Sequence, residues 1–177
     1  MSLAEQVISV DTALTTAGLP HAFGGALALG YCTADPRGTA DIDVCVFVAE
    51  HIDEILSALT PLGVTCEPSQ RKRLNDIGEG RAMLSRTPID IFTSVSDFHS
   101  EVEGRVVRRN FAGVQIPFVR CSDLAVFKAM FDRTKDWADI EAMIDAATID
   151  PDAVAEQLES LLGEDSRADR LRNLPKS

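Results

Sequence analysis

Residues 41–48 read DIDVCVFV, two acids at the start of an otherwise apolar run that predicts a buried strand. Because alternate residues of a strand point to one face, we expect Asp41 and Asp43 to share a face. Two strand steps separate them by roughly 6.6 Å, where two unit charges repel by roughly 2.5 kcal/mol at an effective dielectric of about 20. A divalent cation bound by both would remove this repulsion, although an Asp-x-Asp pair can also be a simple strand-end or turn feature.

A second acid-bearing strand is predicted at residues 88–93, which read PIDIFT. Asp90 interrupts residues that favour strands, as an acid does when a strand delivers it to a polar site. Three strand-borne carboxylates can hold two Mg²⁺ ions through hard oxygen ligands. The sequence therefore predicts a site for Mg²⁺ or Mn²⁺ made of Asp41, Asp43 and Asp90.

A glycine pair precedes this strand, in residues 21–29, which read HAFGGALAL and predict a short strand, a tight turn and a helix start. Backbone N–H groups at Gly24 and Gly25 and the positive helix end would suit a phosphate. The pair matches neither G-x-x-x-x-G-K-[ST] nor G-x-G-x-x-G, and a Gly-Gly turn before a helix can also be ordinary. Its position shortly before Asp41 favours a phosphate loop facing a metal strand.

Residues 35–40, which read DPRGTA, predict a turn between these two features. Arg37 is the only Lys or Arg in residues 1–70. It is a candidate phosphate contact, and a salt bridge to Asp35 or Asp41 is the alternative. Thr39 is a candidate for the same nucleotide site or simply supports the turn.

Lys128 lies among core-type residues on a predicted helix and is a candidate contact for a triphosphate. The alternative is an ion pair with Asp132 at the i,i+4 spacing. Asp136 either caps the next helix or faces the site. Lys135 and Asp139 are expected to form a surface pair.

Size and composition indicate one globular domain. The chain has 177 residues, of which 45% are hydrophobic and 25% charged, values ordinary for a soluble protein. Its apolar runs are too short to span a bilayer, and residues 1–5 do not open a secretory signal. We expect a cytoplasmic protein with no membrane partner.

The cysteines and histidines show no metal or redox motif. The four cysteines lack C-x-x-C spacing and the three histidines stand far apart. We expect the cysteines to be reduced and buried. The sequence contains no Gly-x-Ser-x-Gly motif of the kind that would indicate a serine nucleophile.

The net charge of −11 argues against general adhesion to nucleic acid, because phosphate contacts need a basic surface. The charge is uneven: residues 1–70 carry −8, residues 71–120 carry +3, and residues 121–177 carry −6. Only the middle segment could attract a polyanion. Its candidate patch, or alternatively a solvated charged edge, consists of Arg71, Lys72, Arg73, Arg105, Arg108 and Arg109.

The predicted elements alternate between helices and strands, which indicates an α/β (α+β) fold. Predicted helices cover residues 3–17, 52–59, 122–131, 137–147 and 150–162, with one more after Gly25. Predicted strands cover residues 81–86, 89–93, 105–110 and 114–119, besides those at His21 and Asp41, and the last pair predicts a hairpin.

Four segments in the expected order, over residues 20 to about 145, resemble the nucleotidyltransferase superfamily of the polymerase-β-like fold. They are residues 24–28, 37–43, 89–92, and Lys128 with 133–140. The branch most similar is that of the AbiEii-type toxin nucleotidyltransferases and their uncharacterised relatives. One departure is Gly25, since the first motif of the superfamily is usually Gly-Ser.

The resemblance implies a small mixed β-sheet with flanking helices and a helical carboxyl-terminal part. Residues 1–120 would form the nucleotidyltransferase core, and residues 121–177 a helical extension packed on the same domain. The glycine loop would hold NTP phosphates and Lys128 would contact the nucleotide. Asp41 and Asp43 would bind both metals, and Asp90 would complete the metal site and assist the acceptor.

The activity implied is metal-dependent transfer of a nucleoside monophosphate from an NTP to a hydroxyl, with release of pyrophosphate. The acceptor would be an RNA end, a protein or a small molecule such as an aminoglycoside. A role in a toxin–antitoxin pair would add a cognate antitoxin as partner. The alternatives are a non-catalytic nucleotide-binding or interaction protein of the same fold, and a two-metal nuclease.

Overall fold

The computed structural model describes residues 1–35, 38–48 and 51–175. Over this part of the chain, none of the helices is both long and apolar enough to cross a lipid bilayer. The helices are α1 (Leu3–Thr16), α2 (Gly25–Thr33), α3 (Ile52–Leu59), α4 (Pro68–Ile77), α5 (Asp97–Gly104), α6 (Cys121–Phe131), α7 (Thr134–Asp145), α8 (Pro151–Leu162) and α9 (Ser166–Arg172). The strands are β1 (His21–Phe23), β2 (Ile42–Val46), β3 (Val64–Cys66), β4 (Glu79–Leu84), β5 (Thr87–Thr93), β6 (Val107–Phe111) and β7 (Val114–Phe118).

The strands form one mixed sheet in the order β3-β4-β5-β2-β1-β7-β6. Two neighbouring pairs are parallel, β2 with β5 and β1 with β7, and the other pairs are antiparallel. This arrangement confirms the predicted mixed sheet with flanking helices. It also places the two acid-bearing strands, β2 and β5, side by side in the middle of the sheet.

Strand β2 is buried as its apolar run predicts. Ile42, Val44 and Val46 are fully buried, while Asp43 between them is partly exposed. The strand begins at Ile42, so Asp41 lies in the bend before β2 and not in the strand as predicted. Alternation along β2 therefore separates a core face from a face that carries an acid.

The described residues divide into two compact units. One contains residues 1–25 and 38–119 and holds the whole sheet with α1, α3, α4 and α5. The other contains the described part of residues 26–37 and 120–177, and therefore most of α2 together with α6 to α9. The predicted division into residues 1–120 and 121–177 stays a prediction.

Four elements were not predicted: β3, α4, α5 and α9. Helix α4 shows the reason, because Leu74 is its one buried residue and polar or charged side chains fill most of its other positions, so no apolar periodicity is visible. Its ends follow ordinary rules, with Pro68 in the first turn and Gly78 in the left-handed conformation after the last turn. Tertiary packing against β4 holds a helix that hydrophobic pattern alone does not reveal.

Two of the four cysteines form a disulfide, Cys32–Cys121, which joins α2 to α6 within the second unit. The prediction of reduced cysteines is wrong for this pair, whose separation of 89 residues carries no local signal. Cys45 and Cys66 are free thiols. Burial, and then the charge of Asp43, raise the pKa of Cys45 to about 12, so this thiol is a poor nucleophile.

We expect the unreduced protein, unfolded in guanidinium chloride, to show the two thiols of Cys45 and Cys66 by Ellman titration, and four after reduction. Reduction should lower the free energy of unfolding by about 2–4 kcal/mol, because the disulfide constrains a long loop of the unfolded chain. A Cys66→Ser control should show the same loss on reduction. Titration of four thiols without reductant would contradict the disulfide.

Candidate active site

Three charged residues lie in one row across neighbouring strands of the first unit. Asp43 on β2 is in register with Asp90 on β5, and Asp90 is in register with Arg81 on β4. Neighbouring strands are about 4.8 Å apart, and side chains in register point to the same face of a sheet. The structure thus brings two of the three predicted metal ligands together and adds a cation beside them.

Arg81 holds Asp90 through a two-point contact. Its Nε donates to Asp90 Oδ1 at 2.6 Å and its Nη2 donates to Oδ2 at 2.7 Å. The hydrogen bond and the charge of Asp90 raise the pKa of Arg81, and the charges of Asp41 and Asp43 add to this. The guanidinium therefore lies in the field of all three acids.

Sequence reasoning missed Arg81, although a signal was present. Residues 85 and 86 form the two-residue turn of the β4–β5 hairpin. Counting back from this turn pairs Arg81 with Asp90 directly across the two strands. The predicted strands 81–86 and 89–93 left only two residues between them but were not paired in register.

The glycine turn packs directly against Asp43. Gly24 N donates to Asp43 O at 2.9 Å, so this amide is engaged by the strand. Gly25 has a φ of +52°, and a Cβ there would lie 1.8 Å from Asp43 Oδ2. The space beside Asp43 and the backbone conformation thus both require glycine at position 25.

Thr39 supports the bend that carries Asp41. Thr39 Oγ1 donates to Asp41 Oδ1 at 2.5 Å, and Asp41 N donates to Thr39 Oγ1 at 3.3 Å. These bonds match the turn-supporting alternative for Thr39. Arg37, the other predicted nucleotide contact of this segment, lies outside the described residues.

The donor set suits a hard divalent ion, because Asp41, Asp43 and Asp90 offer carboxylate oxygens, which Mg²⁺ and Mn²⁺ prefer. Across residues 1–35, 38–48 and 51–175, however, no three His, Cys, Asp or Glu side chains are grouped to hold a metal ion. The contact with Arg81 gives a reason, since both oxygens of Asp90 face the guanidinium. The three acids therefore have the chemistry that such an ion prefers, and the metal site stays a prediction.

Lys128 belongs to the second unit, where it forms a buried ion-pair network. Lys128 Nζ donates to Asp139 Oδ2 at 2.7 Å and to Asp136 Oδ1 at 3.5 Å. Asp136 is fully buried and also accepts from Arg133 at 2.6 Å and 3.1 Å. The predicted nucleotide contacts Lys128 and Asp136 thus bind each other and tie α6 to α7.

This network corrects two smaller expectations. Asp132, the alternative partner of Lys128, instead accepts a hydrogen bond from Trp137 Nε1 at 2.6 Å. Asp139 is buried against Lys128 and does not form a surface pair with Lys135. Burial raises the pKa of Asp136, but hydrogen bonds and charge from Arg133 and the charge of Lys128 outweigh it, so the net pKa is lowered.

The basic residues of the middle segment do not form one surface. On α4, Arg71 pairs with Asp53, Lys72 with Asp76 and Arg73 with Glu79. Arg105 pairs with Glu101, and Arg108 donates to the carbonyl of Gln115. Helix α4 packs on β4, whereas β6, which carries Arg108 and Arg109, is the far edge strand. The solvated-edge alternative fits this arrangement better than a polyanion-binding patch.

The similarity of this chain to known proteins was found in solved structures. No family model matches the chain, and no curated protein matches it. The solution structure of the antibiotic-resistance factor ANT(2'')-Ia has a TM-score of 0.67 at 15% identity, covering 96% of this chain and 94% of that one. The crystal structure of ANT(2'')-Ia in complex with adenylyl-2''-tobramycin has a TM-score of 0.65 at 15% identity, covering 97% and 98%.

A third structure is an antigenic nucleotidyltransferase-like protein from Paracoccidioides brasiliensis, with a TM-score of 0.50 at 16% identity, covering 98% of this chain and 94% of that one. Together these neighbours establish that the chain has the fold of nucleotidyltransferases. At 15% to 16% identity they show the fold alone. Membership of the AbiEii-type branch stays a prediction.

Replacing Gly25 by alanine should displace Asp43, because the new Cβ would overlap Asp43 Oδ2. We expect Gly25→Ala to lose any metal binding and to be destabilised by more than the control Gly18→Ala. Gly18 also has a positive φ, of +69°, but a Cβ there meets nothing within 4 Å. Urea unfolding and Mn²⁺ titration of both variants measure this difference. Equal behaviour of the two variants would show that Asp43 does not depend on Gly25.

Replacing Lys128 by methionine should lower the free energy of unfolding by about 3–5 kcal/mol, because it leaves Asp136 and Asp139 buried without their shared cation. The exposed Lys135→Met on α7 is the matched control and should change stability little. Urea unfolding at pH 7 gives both values. Unchanged stability of Lys128→Met with weakened NTP binding would favour the nucleotide contact instead.

The same network predicts acid sensitivity. The pKa of Asp136 is lower in the folded protein than its ordinary value of 3.8. The ionised carboxylate therefore contributes its full stabilisation of the folded state above about pH 3.8. It is lost as pH falls through the lower folded pKa. The stability difference between wild type and Lys128→Met should therefore narrow below about pH 3.8, as unfolding curves across the acid range would show. If the difference in the free energy of unfolding stayed constant with pH, the stabilisation would not depend on ionised Asp136.

Proposed function

We propose that this protein is a divalent-metal-dependent nucleotidyltransferase that moves a nucleoside monophosphate from an NTP to a hydroxyl of a small cationic molecule. One observation carries the proposal. Asp43 and Asp90 lie in register on adjacent strands, with Gly25 packed against Asp43, in a chain with the fold of nucleotidyltransferases. Paired carboxylates can hold a divalent ion, and a glycine turn at a helix start can hold a phosphate.

Asp41, Asp43 and Asp90 would hold Mg²⁺ or Mn²⁺. Such an ion, when bound, activates the attacking oxygen and offsets charge on the leaving group. The protein's own part is to fix the carboxylates, which the sheet does for Asp43 and Asp90 and the Thr39 hydrogen bond does for Asp41. Asp90, once it is released from Arg81, is the candidate general base for the acceptor hydroxyl.

The phosphates would lie at the start of α2. The amide of Gly24 already donates a hydrogen bond to the carbonyl oxygen of Asp43, so Gly24 fixes the turn. The amide of Gly25, as the first residue of the helix, has no acceptor within that helix and suits an anion. Contacts from Lys128, Asp136, Thr39 and Arg37 to the nucleotide stay predictions.

Three observations favour a small cationic acceptor over RNA or a protein. The structural neighbour ANT(2'')-Ia, solved with adenylyl-2''-tobramycin, is matched over nearly the whole of both chains. The chain itself carries a net charge of −11, which attracts cations and repels polyanions. The basic residues that an RNA acceptor would need are largely paired with acids. The toxin role and a cognate antitoxin stay predictions of the sequence resemblance.

The experiment is to incubate the protein with Mg²⁺, each labelled NTP and one acceptor at a time, and to measure pyrophosphate release and product mass. The acceptors are tobramycin, total tRNA and a mixed protein extract. We expect pyrophosphate only with the polycationic hydroxyl compound. Labelling of tRNA would show that the acceptor is RNA and not a small cationic molecule. Cleavage of nucleic acid without pyrophosphate release would favour the two-metal nuclease. NTP binding without turnover would favour a non-catalytic nucleotide-binding protein.

Asp43→Asn and Asp90→Asn should each lower turnover by at least about a hundredfold, the upper end of what losing even a supporting partner of a metal ligand costs. Asp76→Asn on α4, which removes an equal charge outside the row, should leave turnover unchanged. The two site variants should differ in stability. Asp43→Asn relieves repulsion, whereas Asp90→Asn leaves Arg81 without its partner. Wild-type turnover in either site variant would contradict the assignment.

A further inference from the structure

Arg81 stands out because it binds the same oxygen atoms that the proposed metal would need. Its fork engages both Oδ1 and Oδ2 of Asp90, at 2.6 Å and 2.7 Å. Two-point arginine–carboxylate contacts are among the stronger and more directional hydrogen-bonded pairs in proteins. A carboxylate held in this way is oriented by the arginine.

The direction of this contact matters. In the sheet order, β5 lies between β4 and β2, so Arg81 and Asp43 flank Asp90 from opposite sides. The Asp90 carboxylate is bonded to Arg81, whose strand β4 lies on the side of β5 away from β2. This agrees with the finding that the described residues contain no group of three side chains placed to hold a metal ion.

We propose that Arg81 is a competing counter-cation, which a divalent metal ion must displace from Asp90 before the acidic site can close. The inference rests on the proposed function, because it takes Asp90 as a metal ligand. Arg81 then sets the metal concentration at which the site fills. It is a positioning residue and not a catalytic one, because it acts through Asp90.

The exposure of the pair suits a contact that opens. The side chain of Arg81 is 49% exposed and that of Asp90 is 21% exposed. Because the pair is partly solvated, water can hydrate both groups as the contact opens, which lowers the free-energy cost of breaking it. The freed guanidinium can be solvated by water, whereas a deeply buried arginine could not be released.

The alternative role of Arg81 is to hold Asp90 in the geometry that the metal requires. The two roles predict opposite changes when the arginine is removed. A competitor that is lost leaves the metal site tighter, and a support that is lost leaves it weaker. Metal affinity therefore separates them without any measurement of turnover.

The test is binding of Mn²⁺ alone to the full chain without nucleotide, followed by electron paramagnetic resonance of the free ion. We expect Arg81→Leu to bind Mn²⁺ about tenfold more tightly than wild type, the factor to which 1.4 kcal/mol corresponds. Arg81→Lys, which keeps the charge but lacks the fork, should lie between the two. Removal of Arg81 should also lower the Mn²⁺ concentration that gives half-maximal protection against thermal unfolding.

The matched control is Arg73→Leu. Arg73 also pairs with an acid in the same unit, Glu79, and its side chain is 50% exposed. The control removes the same charge from a pair that does not include a proposed ligand. Its Mn²⁺ affinity should stay within about twofold of wild type, the change expected from a small long-range charge effect on a screened surface.

Unchanged or weaker Mn²⁺ binding by Arg81→Leu would overturn the inference, and so would an equal gain in Arg73→Leu. The metal site is checked separately with Asp43→Asn and Asp90→Asn. If these variants lose Mn²⁺ binding while Arg81→Leu does not gain it, only the role of Arg81 fails. If they bind as wild type does, or if wild type binds no Mn²⁺, the proposed function fails as well. Circular dichroism checks that each variant is folded. If Arg81→Leu is unfolded, the Mn²⁺ affinities of Arg81→Gln and Arg81→Lys test the inference instead.

Discussion

The parallel, in-register pairing of β2 with β5 is the constraint on which the candidate site depends. It places Asp43 beside Asp90 although they are 47 positions apart in the sequence. The antiparallel hairpin of β4 and β5 then adds Arg81 to the same row. A slip of one residue in either pairing would turn these side chains to opposite faces and remove the site. The buried residues on the other face of β2, Ile42 and Val44, fix that register.

The second unit solves a different electrostatic problem. Lys128, Asp136 and Asp139 are all nearly excluded from water, which is costly for each charge taken alone. Their mutual contacts, with two more hydrogen bonds from Arg133, offset that cost. Such a network favours one packing of α6 against α7, because any other arrangement would leave a buried charge unpaired. The charges of this predicted nucleotide motif therefore also hold two helices together.

The strongly patterned parts of the fold could be predicted from sequence. The apolar alternation of β2, the β6–β7 hairpin and the bounds of α3 follow from local rules. Asp43 and Asp90 were expected on strands and lie there, whereas Asp41 lies in the bend before β2. Helix α4 and the disulfide Cys32–Cys121 could not be found, because one lacks periodicity and the other joins distant positions. The contact of Arg81 with Asp90 is an intermediate case. To predict it, one needs the register of β4 with β5 and not only the presence of the two strands.

The arrangement of charge also bears on the order of binding in the proposed reaction. Three acids and one arginine leave the row and its neighbouring bend negative, in a chain whose net charge is −11. A free nucleoside triphosphate is itself strongly anionic, so its approach to this surface is unfavourable. A bound divalent ion would offset that negative charge, and release of Arg81 would leave a cation close to the same place. The metal-bound nucleotide, and not the free one, is therefore the species that such a site would take.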